Sequence, residues 1–164
     1  MKKSALLLID GFNLLSRGYF ATSYNRTEEQ LSKTKDGLYT NGIRVFLQKL
    51  FNLIDEHHIT HVAIAWDVKR EELGRRKKYD FYKATRNELP APLIQQHGTL
   101  TKKLEQMGIP QFVLPPYEAD DIIGTLSTKW SNETENACFI YSNDKDLHQL
   151  LNSHTAQIIA RKRQ

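Results

Sequence analysis

Acidic side chains follow each of four apolar segments that have the composition of buried β-strands. The first segment, 5–9, ends at Asp10, and the second, 61–66, ends at Asp67. The third and fourth segments precede clusters of three and two acids. The seven acids are Asp10, Asp67, Glu118, Asp120, Asp121, Asp144 and Asp146. Because the carboxyl ends of parallel strands lie along one edge of a sheet, we expect these acids to converge in one crevice.

Seven carboxylates in one crevice repel one another, and some would take up protons unless a cation held them ionised. Hard divalent cations prefer carboxylate oxygens. The six histidines have no zinc-like pairing with the single cysteine, Cys138, so an all-oxygen site predicts magnesium or manganese. Paired ions of this kind serve phosphoryl chemistry, because they activate a water and stabilise the leaving oxygen. Individual acids also have a structural interpretation, since helix starts favour acids, and either Asp144 or Ser142 is a candidate helix cap.

A basic segment follows the second predicted strand and interleaves cations with aromatic rings. It carries eight cations against three acids, a net charge of +5, which leaves −1 for the rest of a chain whose total is +4. The cations are Lys69, Arg70, Arg75, Arg76, Lys77, Lys78, Lys83 and Arg86. Charge for phosphates and rings for exposed bases suit a single-stranded nucleic acid, although a charge run is also typical of a solvated face. Lys83 and Arg86 would share one helical face and clamp a phosphate.

Hydrophobic periodicity predicts strands that alternate with helices. The predicted strands are 5–9, 61–66, 111–114, 137–141 and 156–160. The predicted helices are 12–19, 43–54, 93–107, 119–130 and 147–150. Residues 22–36 lack an apolar period and predict a surface loop. The alternation indicates the α/β class, with a parallel sheet, right-handed crossovers and helices on both faces.

Size and composition indicate one soluble globular domain. The chain has 164 residues, of which 40% are hydrophobic and 26% charged, values typical of such domains. A single cysteine argues against a disulfide framework and for a reducing compartment. The apolar run near the N-terminus is too short for a signal peptide, and no run is long enough to span a bilayer. We therefore expect a cytoplasmic monomer with no membrane partner.

Several short motifs occur along nearly the whole chain. They are 7–11 (LLIDG) with Arg17 and Tyr19, Trp66-Asp67, Arg75, 82–86 (YKATR), 118–126 (EADDIIGTL) and 144–146 (DKD). In this order they resemble the 5′–3′ exonuclease and flap endonuclease family, in particular the bacterial 5′ nuclease domain of DNA polymerase I and its stand-alone homologues. The acid-doublet helix motif within 118–126 is specific to that resemblance.

The resemblance implies a three-layer PIN-like domain, with a mostly parallel central sheet and a basic helical arch at about 68–90. It implies that the seven acids hold the metal, some directly and others through water. It places Lys83 and Arg86 at the scissile phosphate of DNA that has a free 5′ end or flap. The residues expected to contact DNA are Arg17, Tyr19, Arg75, Arg76, Lys77, Lys78 and Tyr82. Tyr82 and its aromatic neighbours would either stack on bases or anchor the segment.

Family members continue into a helix–three-turn–helix element that grips duplex DNA and adds acids to the second metal site. The sequence ends at Gln164, so we expect residues 1–164 to form a single N-terminal nuclease domain without that element. The alternative is a catalytically weak or inactive DNA-binding module. A receiver-type signalling domain would need an acidic pair after the first strand, where this chain has Asp10 alone. An RNA-cleaving PIN domain is a further alternative, against which the arch segment argues.

Overall fold

A parallel β-sheet forms the centre of the fold. The computed structural model describes residues 4–67, 89–143 and 155–158. Within them the strands are β1 Ala5–Asp10, β2 His61–Ala65, β3 Gln111–Phe112, β4 Ala137–Tyr141 and β5 Thr155–Ile158. The order across the sheet is β3-β2-β1-β4-β5, and every pair of neighbours is parallel. The first strand of the chain therefore lies in the middle.

Helices cover both faces of this sheet. In the same described residues they are α1 Gly11–Ser23, α2 Asn41–Glu56, α3 Ala91–Gln106 and α4 Ala119–Glu133, with a 3-10 turn at Glu28–Gln30. The side chains of β1 are apolar on both faces of the sheet, so helices must cover both faces, which gives three layers. Leu7 and Ile9 join the larger core with α1, α2 and α3, whereas Leu6 and Leu8 pack with α4 on the other face.

A buried amide network ties the three helices of the larger layer together. The Gln96 side chain of α3 is fully buried. Its Oε1 accepts hydrogen bonds from the backbone N–H groups of Gly42 (2.7 Å) and Ile43 (3.1 Å), and its Nε2 donates to Asn41 Oδ1 at 2.9 Å. Asn41 Nδ2 in turn donates to Thr22 Oγ1 of α1 at 2.9 Å. Gln96 Oε1 thus accepts hydrogen bonds from two N–H groups in the first turn of α2 that have no acceptor within their own helix.

The α/β class and the parallel three-layer architecture predicted from the sequence are confirmed, with differences at the ends of elements. The strand predicted at 111–114 has only two residues, because Val113 and Leu114 are exposed and the next two residues are prolines without N–H groups. The predicted surface loop at 22–36 contains the last turn residues of α1 and the 3-10 turn. The arch segment and the helix predicted at 147–150 lie outside the described residues, apart from 89 and 90. Of the helices in the described part, none combines the length and apolar character that a membrane crossing requires.

Candidate active site

The carboxyl ends of β1 and β2 bring their acids to the same edge of the sheet as the start of α4. Asp10 is the last residue of β1 and pairs with Ala65, the last residue of β2. Asp67 lies two residues after Ala65 and therefore at the same edge. The Asp67 Oδ1 atom accepts a hydrogen bond of 2.8 Å from the backbone N–H of Ala119, the first residue of α4. This bond joins the end of β2 to the acidic first turn of α4.

Asp10 is a strongly perturbed acid at this edge. Burial, then the negative charge of Asp67 and, to a smaller extent, that of Asp120 raise its pKa from 3.8 to about 7. Two hydrogen bonds oppose this shift: Asn13 N–H donates to Oδ1 at 3.2 Å and Ser142 Oγ donates to Oδ2 at 3.5 Å. Burial and the charges of two neighbouring carboxylates therefore keep Asp10 partly protonated near neutral pH.

The first turn of α4 gives its acids unequal roles. Asp121 Oδ2 accepts from the backbone N–H of Glu118 at 2.9 Å, and Asp120 Oδ1 accepts from the N–H of Asp121 at 3.0 Å. Both carboxylates also complement the positive end of the helix dipole. Asp121 therefore stabilises the start of the helix in addition to its predicted role as a ligand, whereas Asp120 is the acid of this turn that acts on Asp10.

The donor set at this edge fits a hard divalent cation. Two buried amide oxygens, Asn13 Oδ1 and Asn143 Oδ1, have no hydrogen-bond partner in the described structure. The backbone N–H of Asn13 donates to Asp10, and Asn143 follows Ser142, the other donor to Asp10, in the sequence. Carboxylate and amide oxygen atoms are the ligands that magnesium and manganese favour. Within residues 4–67, 89–143 and 155–158, no group of three or more acidic, histidine or cysteine side chains is arranged so that it could hold a metal ion by itself.

The predicted site residues separate into three groups. Five predicted ligands lie at this edge of the described structure: Asp10, Asp67, Glu118, Asp120 and Asp121. The predicted residues that lie outside the described ranges are Asp144, Asp146, Lys83, Arg86, Arg75, Arg76, Lys77, Lys78 and Tyr82. The remaining two, Arg17 and Tyr19, lie on α1.

The two α1 residues differ in their environments. Arg17 is exposed and hydrogen-bonds to the side chain of Tyr141, at the end of β4. Tyr19 is only 4% exposed and packs in the larger core, where burial raises its pKa. Such burial disagrees with the expected direct contact between the Tyr19 ring and DNA. Arg17, by contrast, lies at the surface close to the carboxyl edge of the sheet.

Ser142 and Asn13 are site residues that sequence reasoning did not identify as partners of Asp10. A sequence signal existed for each of them. Asn13 occupies the third position after an aspartate that ends a strand, which is the spacing of an N-cap bond to a helix N–H. Ser142 directly follows a strand adjacent to β1 in the sheet. An open groove leads away from this edge along α4, and Tyr117, Asp120 and Asp121 line its near end.

Comparison with known proteins assigns the chain to a family. Residues 5–164 match the family described as 5′–3′ exonuclease, N-terminal resolvase-like domain. The chain belongs to this family. It is 58% identical over 162 residues to a 5′–3′ exonuclease of Halalkalibacterium halodurans, a match that covers 99% of this chain and 54% of that protein. A 5′–3′ exonuclease of Bacillus subtilis is 33% identical over 162 residues, with 99% and 53% covered.

The family also includes part of a larger enzyme. DNA polymerase I of Streptococcus pneumoniae is 37% identical over 164 residues, which cover 99% of this chain but 18% of that protein. The chain thus spans about half the length of the two exonucleases and a smaller share of the polymerase.

Two solved structures of bacteriophage T5 proteins share the fold. The T5 flap endonuclease, in a pseudo-enzyme–product complex with DNA and metal ions, superposes with a TM-score of 0.64 at 20% identity, covering 94% of this chain and 54% of that one. The T5 5′-exonuclease with bound divalent zinc ions gives 0.63 at 20% identity, with 94% and 55% covered. At this level of identity the likeness establishes the fold.

Proposed function

We propose that this chain is the metal-binding nuclease domain of a 5′–3′ exonuclease that hydrolyses phosphodiester bonds in DNA with a free 5′ end or flap. The 5′–3′ exonuclease relative at 58% identity supports the reaction. The T5 complex, which contains DNA and metal ions, supports the substrate class and the need for a divalent cation. Magnesium or manganese is the ion that the all-oxygen donor set favours.

The observation that carries the proposal is the mutual repulsion of acids from three separate elements. Asp10 from β1, Asp67 after β2 and Asp120 from α4 lie close together: burial is the largest cause that raises the Asp10 pKa to about 7, and the charges of Asp67 and Asp120 add to it. A protein gains nothing in stability from this arrangement, because buried carboxylates without a cation destabilise the folded state. Perturbed acids that cluster in an open crevice are typical of functional sites.

Each residue of the crevice has a defined task in this proposal. When bound, divalent ions would supply charge that polarises the phosphate and activates the attacking water. Asp10, Asp67 and Asp120 would hold the ions, and the Asn13 N–H and Ser142 hydroxyl orient the Asp10 carboxylate. The Ala119 N–H orients Asp67 in the same way, as outer partners of metal ligands commonly do.

The basic segment completes the proposed substrate contact. Lys83 and Arg86 would bind the scissile phosphate and offset the charge that develops on it. The basic run 75–78 would track the DNA backbone, and Tyr82 would stack on a base. Arg17 would add a cation beside the crevice from α1.

The proposal is tested by cleavage of a 5′-labelled flap DNA in the presence of magnesium or manganese. The informative variant is Asp120→Asn, which removes a charge that acts on Asp10 but keeps the shape of the side chain. Asp55→Asn is its matched control, because Asp55 is an exposed acid on α2. We expect cleavage by the wild type and by Asp55→Asn, and a loss of at least about 100-fold in Asp120→Asn, since a metal ligand contributes several kcal/mol to catalysis.

Two outcomes would contradict the proposal. Equal cleavage rates in Asp120→Asn and Asp55→Asn would show that the acidic edge does not serve the reaction. Metal-dependent DNA binding by the wild type without any cleavage would support the binding-module alternative instead.

A further inference from the structure

Trp66 follows β2, and its side chain packs in the larger core with residues of α2 and α3. It directly precedes Asp67 and is 2% exposed. Its indole Nε1 donates a hydrogen bond of 2.8 Å to Gln111 Oε1 of β3. Gln111 is held in turn by a bond of 3.0 Å from its Nε2 to the carbonyl oxygen of Thr101 on α3. The indole is therefore anchored to the edge strand β3 and, through Gln111, to α3.

The opposite side of the indole lies directly against Gly11, the residue after Asp10. A Cβ atom built on Gly11 would lie 2.7 Å from Cε3 and Cζ3 of the Trp66 ring and 2.8 Å from Cδ2. These distances are far below the 3.5–4.0 Å at which carbon atoms normally pack. Glycine at this position thus allows a close approach of ring and backbone that no other residue permits.

Two further aromatic rings pack around the indole. The Phe46 ring of α2 lies nearly parallel to it, with ring centroids 6.2 Å apart and an interplanar angle of 13°. The His97 ring of α3 meets it edge-on at 4.7 Å. Packed interiors of this kind transmit a local change in volume to their neighbours. A methyl group added to Gly11 must therefore displace the indole or the backbone that follows β1.

We propose that Trp66 is a positioning residue whose indole, seated on Gly11, sets the separation of the Asp10 and Asp67 carboxylates for a divalent cation. The inference rests on the proposed function, since it concerns the same acids. Asp10 precedes the glycine and Asp67 follows the tryptophan, so the ring–backbone contact lies one residue away from both carboxylates. Neither Trp66 nor Gly11 offers a ligand atom, and their effect passes through the backbone.

A simple packing role makes a different prediction. If Trp66 and Gly11 only filled the core, a change in their fit would lower the stability of the folded protein and leave cation affinity unchanged. If they position the acids, cation affinity falls as well, because ligand geometry depends on supporting residues. Stability and affinity must therefore be measured on the same variants.

The chain offers a matched control for overpacking on the same helix. A Cβ at Gly18 of α1 would lie 2.8 Å from Cβ of Val45, a crowding similar to that at Gly11 but one residue before Tyr19, toward the other end of α1. The experiment measures Mn²⁺ affinity by titration calorimetry, and thermal stability without metal, for Gly11→Ala and Gly18→Ala in the full-length protein. We expect both to lower the melting temperature and Gly11→Ala alone to weaken Mn²⁺ binding, by about 10-fold or more.

A second variant tests the contact itself and covers the case in which Gly11→Ala does not fold. The double variant Gly11→Ala/Trp66→Phe combines the added methyl group with a smaller ring, and we expect it to recover part of the Mn²⁺ affinity lost in Gly11→Ala. Trp66→Phe alone removes the bond to Gln111 and loosens the contact, so we expect weaker Mn²⁺ binding in a folded protein. If Gly11→Ala does not fold, the Mn²⁺ affinity of Trp66→Phe alone tests the positioning role.

The outcomes separate the inference from the proposed function. Equal Mn²⁺ affinities in Gly11→Ala and Gly18→Ala, or wild-type affinity in Trp66→Phe, would overturn the positioning role alone. A wild-type protein that binds no Mn²⁺ would overturn the proposed function and the positioning role with it.

Discussion

Replacement of Asp10 by asparagine should stabilise the metal-free protein at pH 8. The carboxyl pKa is raised from 3.8 to about 7, mainly by burial and then by Asp67. A shift of about three units corresponds to about 4 kcal/mol, at 1.36 kcal/mol for each unit. Asparagine has no charge to desolvate, and as an N-cap it is equivalent to aspartate, so the acceptor for the Asn13 N–H is retained.

The sign of the pH dependence follows from the direction of the pKa shift. The folded state holds the Asp10 proton more tightly than the unfolded state, so the free energy of unfolding falls as pH rises from 3.8 to about 7. Below 3.8 the carboxyl is protonated in both states and contributes no difference. Above about 7 it is ionised in both states, and the full penalty of about 4 kcal/mol applies. Asp10→Asn should remove this pH-dependent contribution.

The assay is urea unfolding in the presence of a chelator between pH 5 and pH 8, with Asp55→Asn as the control on an exposed acid. The free energy of unfolding of Asp10→Asn should exceed that of the wild type by an amount that grows with pH. Added Mg²⁺ should reverse the order, because the ion binds only the ionised carboxylate and so stabilises the wild type. An Asp10→Asn protein that is less stable than the wild type at pH 8, or a difference that does not change with pH, would show that ionised Asp10 does not destabilise the metal-free fold.

Three further predictions concern separate parts of the molecule. Asp121→Ala should lower the free energy of unfolding by about 1 kcal/mol, because it removes the acceptor for the Glu118 N–H. Asp121→Asn keeps an acceptor and should lower it little. Urea unfolding of both variants without metal checks this. Gln96→Leu should destabilise by about 2–4 kcal/mol, because it leaves buried N–H groups such as that of Gly42 unpaired, and a loss under 1 kcal/mol in the same assay would contradict the network. Lys83→Ala should lower kcat for flap DNA more than it raises the Kd for DNA; a loss confined to affinity would make Lys83 a phosphate anchor.

The convergence of acids was predictable from the sequence, because it follows from general rules. Parallel strands end at one edge: Asp10 ends β1, Asp67 lies two residues after β2, and the acids at 118–121 begin the helix that follows β3. The central position of β1 is consistent with a run of five apolar residues, which requires cover on both faces. Apolar runs thus identify the strands of the sheet, and the acids that come after them identify the edge that carries the site.

Other features depended on contacts that local patterns do not encode. The Trp66 indole meets Gly11 across 55 positions of sequence, and no periodicity links the two. Tyr19 was expected at the DNA because it lies near a motif, yet it is four residues after Leu15 on the buried stripe of α1. That spacing favoured the core. The unequal roles of Asp120 and Asp121 also became clear only from the direction of each hydrogen bond.

Acids from three elements are proposed to hold a hard cation at the carboxyl edge of the sheet. An anomalous difference map from crystals of the protein grown with Mn²⁺ would locate the ion. We expect a peak between the carboxylates of Asp10, Asp67 and Asp120, with metal–oxygen distances of about 2.0–2.6 Å. A well-occupied Mn²⁺ peak elsewhere, with none among these three side chains, would contradict the proposed site.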